Sequence, residues 1–253
     1  MKTITLHSYK GGTGKTSTVV NVGYLLAHKG RNVALFDYDI RAPTMHYVFP
    51  PDGQNKFLND LLAGKTKIHN IIKDFTKKYE LEGRLLVGYA NAHPEIIRET
   101  MTRDEKWHHS ALDQLFTGLS ELKTSFNLDY VFLDTNPGAF DYNSLNAIVA
   151  ADIIICILRG DIFDTVGTKT MIDRIYQDRS VYLLANKAPT PLTEGNLQKE
   201  YETELERRFG KPVIGILPCS CEVLFESGLI AHKSPDHPYV ERLNRVIETL
   251  EAL

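Results

Sequence analysis

The sequence predicts an α/β protein with a mostly parallel central sheet of about seven or eight strands and helices on both faces. Short apolar segments rich in β-branched residues alternate with longer segments of helical period, which is the pattern of such a sheet. A glycine-rich turn at residues 11–14 joins the first apolar segment to the first helical one. The 253 residues, 43% of them hydrophobic, supply enough apolar surface for a large core.

The strands are predicted from seven short apolar segments, each of a length typical of a buried strand. They cover residues 3–7, 33–37, 84–89, 130–134, 153–158, 181–186 and 213–217. Between them, the first predicted helix follows Lys15 and ends at Gly30. The other predicted helices cover residues 57–63, 104–126, 143–150, 165–178 and 193–209.

The last segment of the chain has the pattern of an amphipathic helix. Its apolar residues recur at helical spacing opposite a polar face of mixed and slightly acidic charge. A helix that lies on a membrane surface usually has a polar face rich in lysine and arginine, so docking onto the protein's own core is favoured. The apolar set is Tyr239, Val240, Leu243, Val246, Ile247, Leu250 and Leu253. No repeat or linker divides the chain, and we expect residues 1–253 to form one domain.

Charge and composition favour a cytoplasmic protein. The formal net charge is -3, so any contact with nucleic acid would need a local basic patch, and the basic stretches are short. The first residues lack a signal-peptide pattern, and the longest apolar runs are far shorter than the roughly 20 residues of a membrane helix. Three cysteines in a reducing compartment do not suggest a disulfide framework.

The glycine-rich turn predicts a phosphate-binding site. Gly11, Gly12 and Gly14 allow the backbone N–H groups to approach phosphate oxygens, and the start of the following helix adds positive potential. Lys15 can reach the β- and γ-phosphates, and the Thr16 hydroxyl suits Mg²⁺. Thr13 and Ser17 complete the set of residues expected to contact nucleotide.

The exact pattern of this turn resembles one family. The general Walker A motif has glycine where Tyr9 stands, but Lys10 and the residues up to Thr16 match the deviant Walker A motif of the MinD/ParA class of P-loop ATPases. Archaeal MinD-like ATPases look most similar, and the resemblance extends over nearly the whole chain. It implies binding of ATP or ADP with Mg²⁺, slow hydrolysis and an ATP-bound homodimer. It also implies that Lys10 reaches the phosphates of the second subunit.

The resemblance assigns roles to three aspartates. Asp37 and Asp39 lie where the class has switch I, which implies that Asp39 orients the attacking water and that Asp37 lies near the metal. Asp134 ends an apolar strand like a Walker B motif, and would hold Mg²⁺. Asn186 and Pro218 resemble the segments that contact and cover adenine.

The predicted function is an ATP-dependent dimerisation switch that positions or partitions cellular cargo with a protein partner or activator. Two alternatives stay open. A metal-handling ATPase like the nickel-insertion protein CooC, or a related targeting ATPase, is suggested by Cys219 and Cys221, which in a dimer could supply four thiolates to one metal ion. A P-loop kinase or synthetase would require an acceptor pocket, and no set of residues marks one. Binding to DNA has only weak support from the sequence.

Overall fold

The structure is a computed structural model that describes residues 1–138, 140–220, 223 and 228–253. Within these residues, one eight-stranded sheet has the order β3-β4-β2-β5-β1-β6-β7-β8. The strands are β1 (Lys2–His7), β2 (Val33–Tyr38), β3 (Ile72–Asp74), β4 (Leu85–Gly88), β5 (Tyr130–Thr135), β6 (Ile153–Leu158), β7 (Val181–Ala188) and β8 (Val213–Pro218). Every pairing is parallel except that of β3 with β4. The predicted sheet is confirmed, with β3 as the strand that the sequence analysis missed.

The helices connect and cover these strands. They are α1 (Lys15–His28), α2 (Leu58–Leu62), α3 (Pro94–Met101), α4 (Glu105–Ser125), α5 (Tyr142–Ala150), α6 (Ile162–Arg174), α7 (Gly195–Phe209), α8 (Ile230–Lys233) and α9 (Pro238–Ala252). Of these, α3 and α8 were not predicted. The helix α3 has eight residues and buries only Thr100, so its sequence lacks the long periodic pattern that marks a core helix.

The two faces of the sheet have separate apolar layers. Leu35 of β2 and Phe132 of β5 pack on the side of α1 and α9. Their neighbours Phe36 and Leu133 point to the opposite side, where Leu115 of α4 packs against them. Because both faces are covered, the central strands are continuous apolar runs rather than alternating ones.

The strand order gathers the candidate site at one edge of the sheet. The strand β5 lies between β1 and β2, and the register pairs Asp134 with Leu6 on one side and with Asp37 on the other. The carboxyl ends of β1, β2 and β5 therefore meet, and the loop from β1 leads into α1, whose Thr16 bonds to Asp134. This is the edge at which open α/β sheets bind ligands.

The final helix, α9, packs against β8 and α1. It buries an apolar face through Tyr239, Val240, Leu243, Val246, Ile247 and Leu250. The approach to β8 is close, since a Cβ on Gly215 would lie 2.5 Å from Val246 Cγ2. Leu253, which the sequence placed on the same face, is 42% exposed. Within the described part of the chain, no helix is both long and apolar enough to cross a bilayer.

The packing of α9 can be tested by Leu243→Ala, because Leu243 is fully buried. We expect the free energy of unfolding to fall by about 2–5 kcal/mol, from lost transfer free energy and the cavity left behind. Leu253→Ala is the matched control and should change it by less than about 0.5 kcal/mol. Urea denaturation measures both. Equal, small effects would show that α9 does not pack as described.

Candidate functional site

The turn between β1 and α1 has the backbone that the glycines were expected to allow. Gly12 and Gly14 have φ angles of 72° and 94°, in the left-handed region that side chains disfavour. Space is also restricted at Gly14, where a Cβ would lie 2.3 Å from Asn186 Nδ2. The glycine at position 14 is therefore required by both conformation and packing.

The start of α1 is suited to an anion. Gly14 is the N-cap residue and has no side chain to accept from the first N–H groups, and the first turn contains no acidic residue. The first N–H groups of a helix need an outside acceptor, and the helix dipole favours a negative one. Phosphate oxygens meet both requirements.

Lys15 extends from the first turn of α1 into a nearly closed environment, with 7% of the residue exposed. Its Nζ donates to Ser8 Oγ at 2.9 Å, and Ser8 Oγ donates to the Lys10 carbonyl at 2.7 Å. Burial lowers the pKa of Lys15, while the charges of Asp134 and Asp39 act against that shift. The ammonium group is thus held at the phosphate turn by Ser8, a residue that the sequence analysis did not single out.

A hydroxyl and two carboxylates form an oxygen-rich corner below the turn. Thr16 Oγ1 donates to Asp134 Oδ2 at 2.5 Å. The Oδ1 atoms of Asp134 and Asp37 are buried and have no hydrogen-bond partner among the described residues. Burial, the largest cause in both, raises the pKa of Asp134 to about 7 and the pKa of Asp37 well above its usual value. Oxygen ligands and buried negative charge are what Mg²⁺ requires, so these residues fit the expected metal.

Asp37 also organises the loop that follows β2. Its Oδ2 accepts from the backbone N–H groups of Thr44 and Met45 at 2.9 and 2.8 Å. The loop therefore turns back over the buried carboxylate. Asp39 lies within this loop, where its Oδ1 accepts from Ala42 N at 3.0 Å, and burial raises its pKa.

An ion pair joins the loop after β2 to the loop after β5. Arg41 Nε lies 3.0 Å from Asp141 Oδ2, and Asp141 is also the N-cap of α5, accepting from the backbone N–H groups of Asn143 and Ser144. The sequence analysis missed both members of this pair. A capping residue before a predicted helix was the available signal for Asp141, whereas nothing local pairs it with Arg41, which lies 100 positions away.

Asn186, near the end of β7, lies against the phosphate turn. Its Nδ2 donates to the Thr13 carbonyl at 2.8 Å, and its Oδ1 accepts from Lys187 N at 2.8 Å. The side chain thus holds the phosphate turn from the end of β7, a contact that sequence reasoning did not anticipate. One amide hydrogen and one oxygen lone pair stay unused, because an amide has two of each.

One cavity of about 550 Å³ connects these features. Most of the predicted nucleotide-contacting residues line it, and Lys187 and Tyr239 are additional lining residues. The predicted residues at its wall are Gly11, Gly12, Gly14, Lys15, Thr16, Ser17, Asp39, Asn186 and Pro218. Thr13, Asp37 and Asp134 are buried behind them.

Lys10 lies outside the wall of this cavity, beside the loop that follows β6. Its Nζ is 3.8 Å from Asp161 Oδ1, and both side chains are about one-third exposed or more, at 34% and 40%. Arg159 also pairs with Asp161, at 3.1 Å. Lys10 is therefore held by its own chain in this structure.

Two cysteines follow β8 in the sequence. Cys219 is exposed and reduced, and Cys221 lies outside the described residues. Among the residues that are described, no group of three or more histidine, cysteine or acidic side chains is arranged to hold a metal ion.

Comparison with known proteins gives consistent matches. A family model described as an AAA domain matches residues 1–183. An uncharacterised ATP-binding protein of Methanocaldococcus jannaschii is 29% identical over 85% of this chain and 73% of its own length. The septum site-determining protein MinD of Bacillus subtilis is 26% identical over 87% of this chain and 77% of its own. The solved structure of MinD from Pyrococcus horikoshii, complexed with Mg-ADP, aligns with a TM-score of 0.76 and 18% identity over 99% of this chain and 96% of its own, a likeness of fold.

The raised pKa of Asp134 predicts how the free energy of unfolding depends on pH. Because the pKa of Asp134 is raised from 3.8 to about 7, the folded protein binds more protons than the unfolded chain between these two values. The contribution of this carboxyl to stability therefore falls as pH rises through that window and is at its lowest above it. In magnesium-free buffer, Asp134→Asn should raise the free energy of unfolding by on the order of 2 kcal/mol at about pH 8 and by little at about pH 4.

The control is Asp113→Asn on the exposed side of α4, which should show no such dependence on pH. Urea denaturation at the two pH values measures all three proteins. An equal effect of Asp134→Asn at both pH values would contradict the raised pKa.

Proposed function

The chain belongs to the MinD/ParA class of P-loop ATPases within the matched AAA-domain family, and from this we propose that it binds Mg-ATP and hydrolyses it slowly as a molecular switch. The observation that carries the proposal is the arrangement around one cavity. The uncapped start of α1, Lys15 and Thr16 line this cavity, and Asn186 and Pro218 line it from the ends of β7 and β8. This arrangement suits phosphates and metal at the turn and a base beside the ends of these two strands.

In this proposal, the N–H groups of residues 11–16 and the Lys15 ammonium bind the phosphates. Thr16 supplies a ligand to Mg²⁺, and Asp134 and Asp37 hold the metal, directly or through water. When bound, Mg²⁺ would neutralise charge on the phosphates. The unpartnered Oδ1 atoms of Asp134 and Asp37 support this assignment, because buried acceptors without donors are costly unless a ligand satisfies them.

Asp39 is proposed to orient the attacking water and to accept its proton. It lines the cavity on the side of the loop after β2, and its raised pKa results first from burial. A base whose pKa is nearer to neutrality accepts a proton more effectively than a fully solvated carboxylate.

Asn186 is proposed to read the base. Its unused amide hydrogen and its unused lone pair form one donor and one acceptor. Adenine presents the complementary pair at its N7 and N6 edge, whereas guanine presents two acceptors there. This pairing favours ATP over GTP.

Lys10 is proposed to act across a homodimer, on the phosphates bound by the second copy. Its ion pair with Asp161 would then be exchanged for a phosphate when ATP brings two copies together. The relative named for septum-site determination supports a switch that positions or partitions cellular cargo through a protein partner.

The phosphate contact is tested by Lys15→Ala. Loss of a charged donor should weaken ATP binding by about tenfold or more, since hydrogen bonds to charged groups contribute roughly 1.5–3 kcal/mol. Lys29→Ala, at the exposed opposite end of the same helix, is the control and should bind like the wild type. Calorimetry that finds the same affinity in both variants would remove Lys15 from the site.

Turnover and dimerisation are separated by two further variants. Asp39→Ala should bind ATP, hydrolyse it at least about tenfold more slowly and accumulate as a dimer, because the water is no longer oriented. Lys10→Ala should bind ATP and stay monomeric, because the contact across the dimer is lost. Sedimentation and phosphate release measure these properties, with Lys29→Ala again as the control. A wild type that stays monomeric with ATP would contradict the dimer.

A further inference from the structure

Arg41 is a charged residue of the nucleotide cavity that has no part in the proposed function. It lies in the loop after β2, two positions after Asp39, and it lines the same cavity as Asp39, Lys15 and Thr16. Nothing in the sequence marks it, because most arginines in loops are solvated. In the structure it adds a positive charge to the wall of the cavity that the phosphates are proposed to enter.

The loop that contains Arg41 is folded over a buried aspartate. Asp39 Oδ1 accepts from Ala42 N at 3.0 Å, which closes a turn around Arg41. Farther along the loop, Thr44 N donates to Asp37 Oδ2 at 2.9 Å. The backbone at Arg41 is therefore held between the residue that is proposed to orient water and a residue that is proposed to hold the metal.

The side chain of Arg41 is anchored through one of its nitrogen atoms. Its Nε lies 3.0 Å from Asp141 Oδ2, and only 8% of the Asp141 side chain is exposed, compared with 51% of the Arg41 side chain. Among the described residues, Asp141 is the only partner that the guanidinium has. A guanidinium has five N–H groups, so the four on Nη1 and Nη2 are available to a ligand.

The surrounding charges place Arg41 near the residues proposed to act on the phosphates. Burial raises the pKa of Asp39, the charge of Lys15 acts against that shift, and the charge of Asp141 adds to it. Asp39 is therefore close to both Lys15 and Asp141, and Arg41 is paired with Asp141. The carboxylates in this part of the cavity would repel a triphosphate, whereas a guanidinium would attract it and match its oxygens with a planar fork of donors.

We propose that Arg41 is a further catalytic residue, which donates through Nη1 and Nη2 to the γ-phosphate of ATP bound in the cavity of its own chain while Asp141 holds Nε. This inference rests on the proposed ATPase function. It differs from the role proposed for Lys10, because Lys10 is proposed to act on the phosphates bound by the second copy.

Arg41 would assist one defined step. The oxygen of the attacking water bonds to the γ-phosphorus, and the bond from that phosphorus to the β–γ bridging oxygen breaks. The electron pair of the broken bond leaves with ADP, and the proton of the water passes to Asp39 and then to the released phosphate. Negative charge in the transition state is spread over the oxygens around the phosphorus, so a guanidinium fixed beside them lowers the barrier.

The test compares Arg41→Gln with two other variants. Asp141→Asn breaks the ion pair but leaves the guanidinium in place and keeps a residue that caps a helix well. Arg245→Gln is the matched control, because Arg245 on α9 is also exposed, at 56%, and also pairs with a carboxylate, that of Glu241 at 2.6 Å. Calorimetry measures the affinities for Mg-ADP and for Mg with adenylyl imidodiphosphate, a slowly hydrolysed ATP analogue. Phosphate release from ATP measures kcat and KM.

We expect Arg41→Gln to bind Mg-ADP within about twofold of the wild type but to bind the analogue at least about fivefold more weakly, because ADP has no γ-phosphate. Its kcat should fall by about tenfold or more, and Arg41→Lys should recover little of that loss, because an ammonium lacks the planar fork. Asp141→Asn should lose less kcat than Arg41→Gln. Equal losses of kcat in these two variants, with normal affinity for the analogue, would show that Arg41 only ties the two loops together and would overturn the proposal.

The same affinities in a Lys10→Ala background separate action within one chain from action across a dimer. This background is proposed to stay monomeric, so Arg41→Gln should still weaken binding of the analogue relative to ADP by about fivefold. An unchanged preference there would show that Arg41 does not reach the phosphate of its own chain, and the proposal would fail. If ATP binding depends on Lys15 while Arg41→Gln behaves like Arg245→Gln, the proposed function stands without Arg41. A wild type that does not bind ATP would contradict both.

Discussion

The hydrogen bond from Thr16 to Asp134 joins the phosphate turn to the middle of the sheet, and the site depends on the buried charge around it. Asp134 and Asp37 are adjacent in register, and both are removed from water. Burial and then the charge of Asp134 raise the pKa of Asp37. Burial also raises the pKa of Asp134, and the positive charge of Lys15 acts against that shift. These buried carboxyls therefore lower the free energy of unfolding, and a divalent cation bound between them would raise it.

Elsewhere in the site, protein side chains already bind the polar groups that are proposed to contact nucleotide. Lys15 is bound to Ser8, Thr16 to Asp134, and Lys10 to Asp161. Each of these groups is one that we propose to contact phosphate or metal. Nucleotide binding would then exchange protein contacts for phosphate contacts, so each new contact is partly offset by the one that it replaces. A ligand shifts the population towards the arrangement in which it gains more free energy.

Sequence reasoning worked where structure is determined locally. The sheet, its strands and the phosphate turn follow from apolar runs and from glycine spacing, and the structure has them within a few residues. It failed for β3, which has only three residues and is half-exposed, and for α3, which buries one side chain. It also missed pairs such as Arg41 with Asp141 and Asn186 with Thr13, because their partners are brought together by the strand order and not by spacing along the chain.

The same topology explains why the two loops can respond together. The strands β2 and β5 are direct neighbours, so the loops at their ends begin a few ångströms apart. Arg41 and Asp141 connect them, and Asp141 also caps α5, so a shift of one loop acts on the start of a helix. The loop after β2 is held by Asp37, a proposed metal-binding residue, and the loop after β5 follows Asp134, which is another. A change at the metal would thus act on the loop after β2 through the hydrogen bonds of Asp37 and on the loop after β5 through the chain that continues from Asp134.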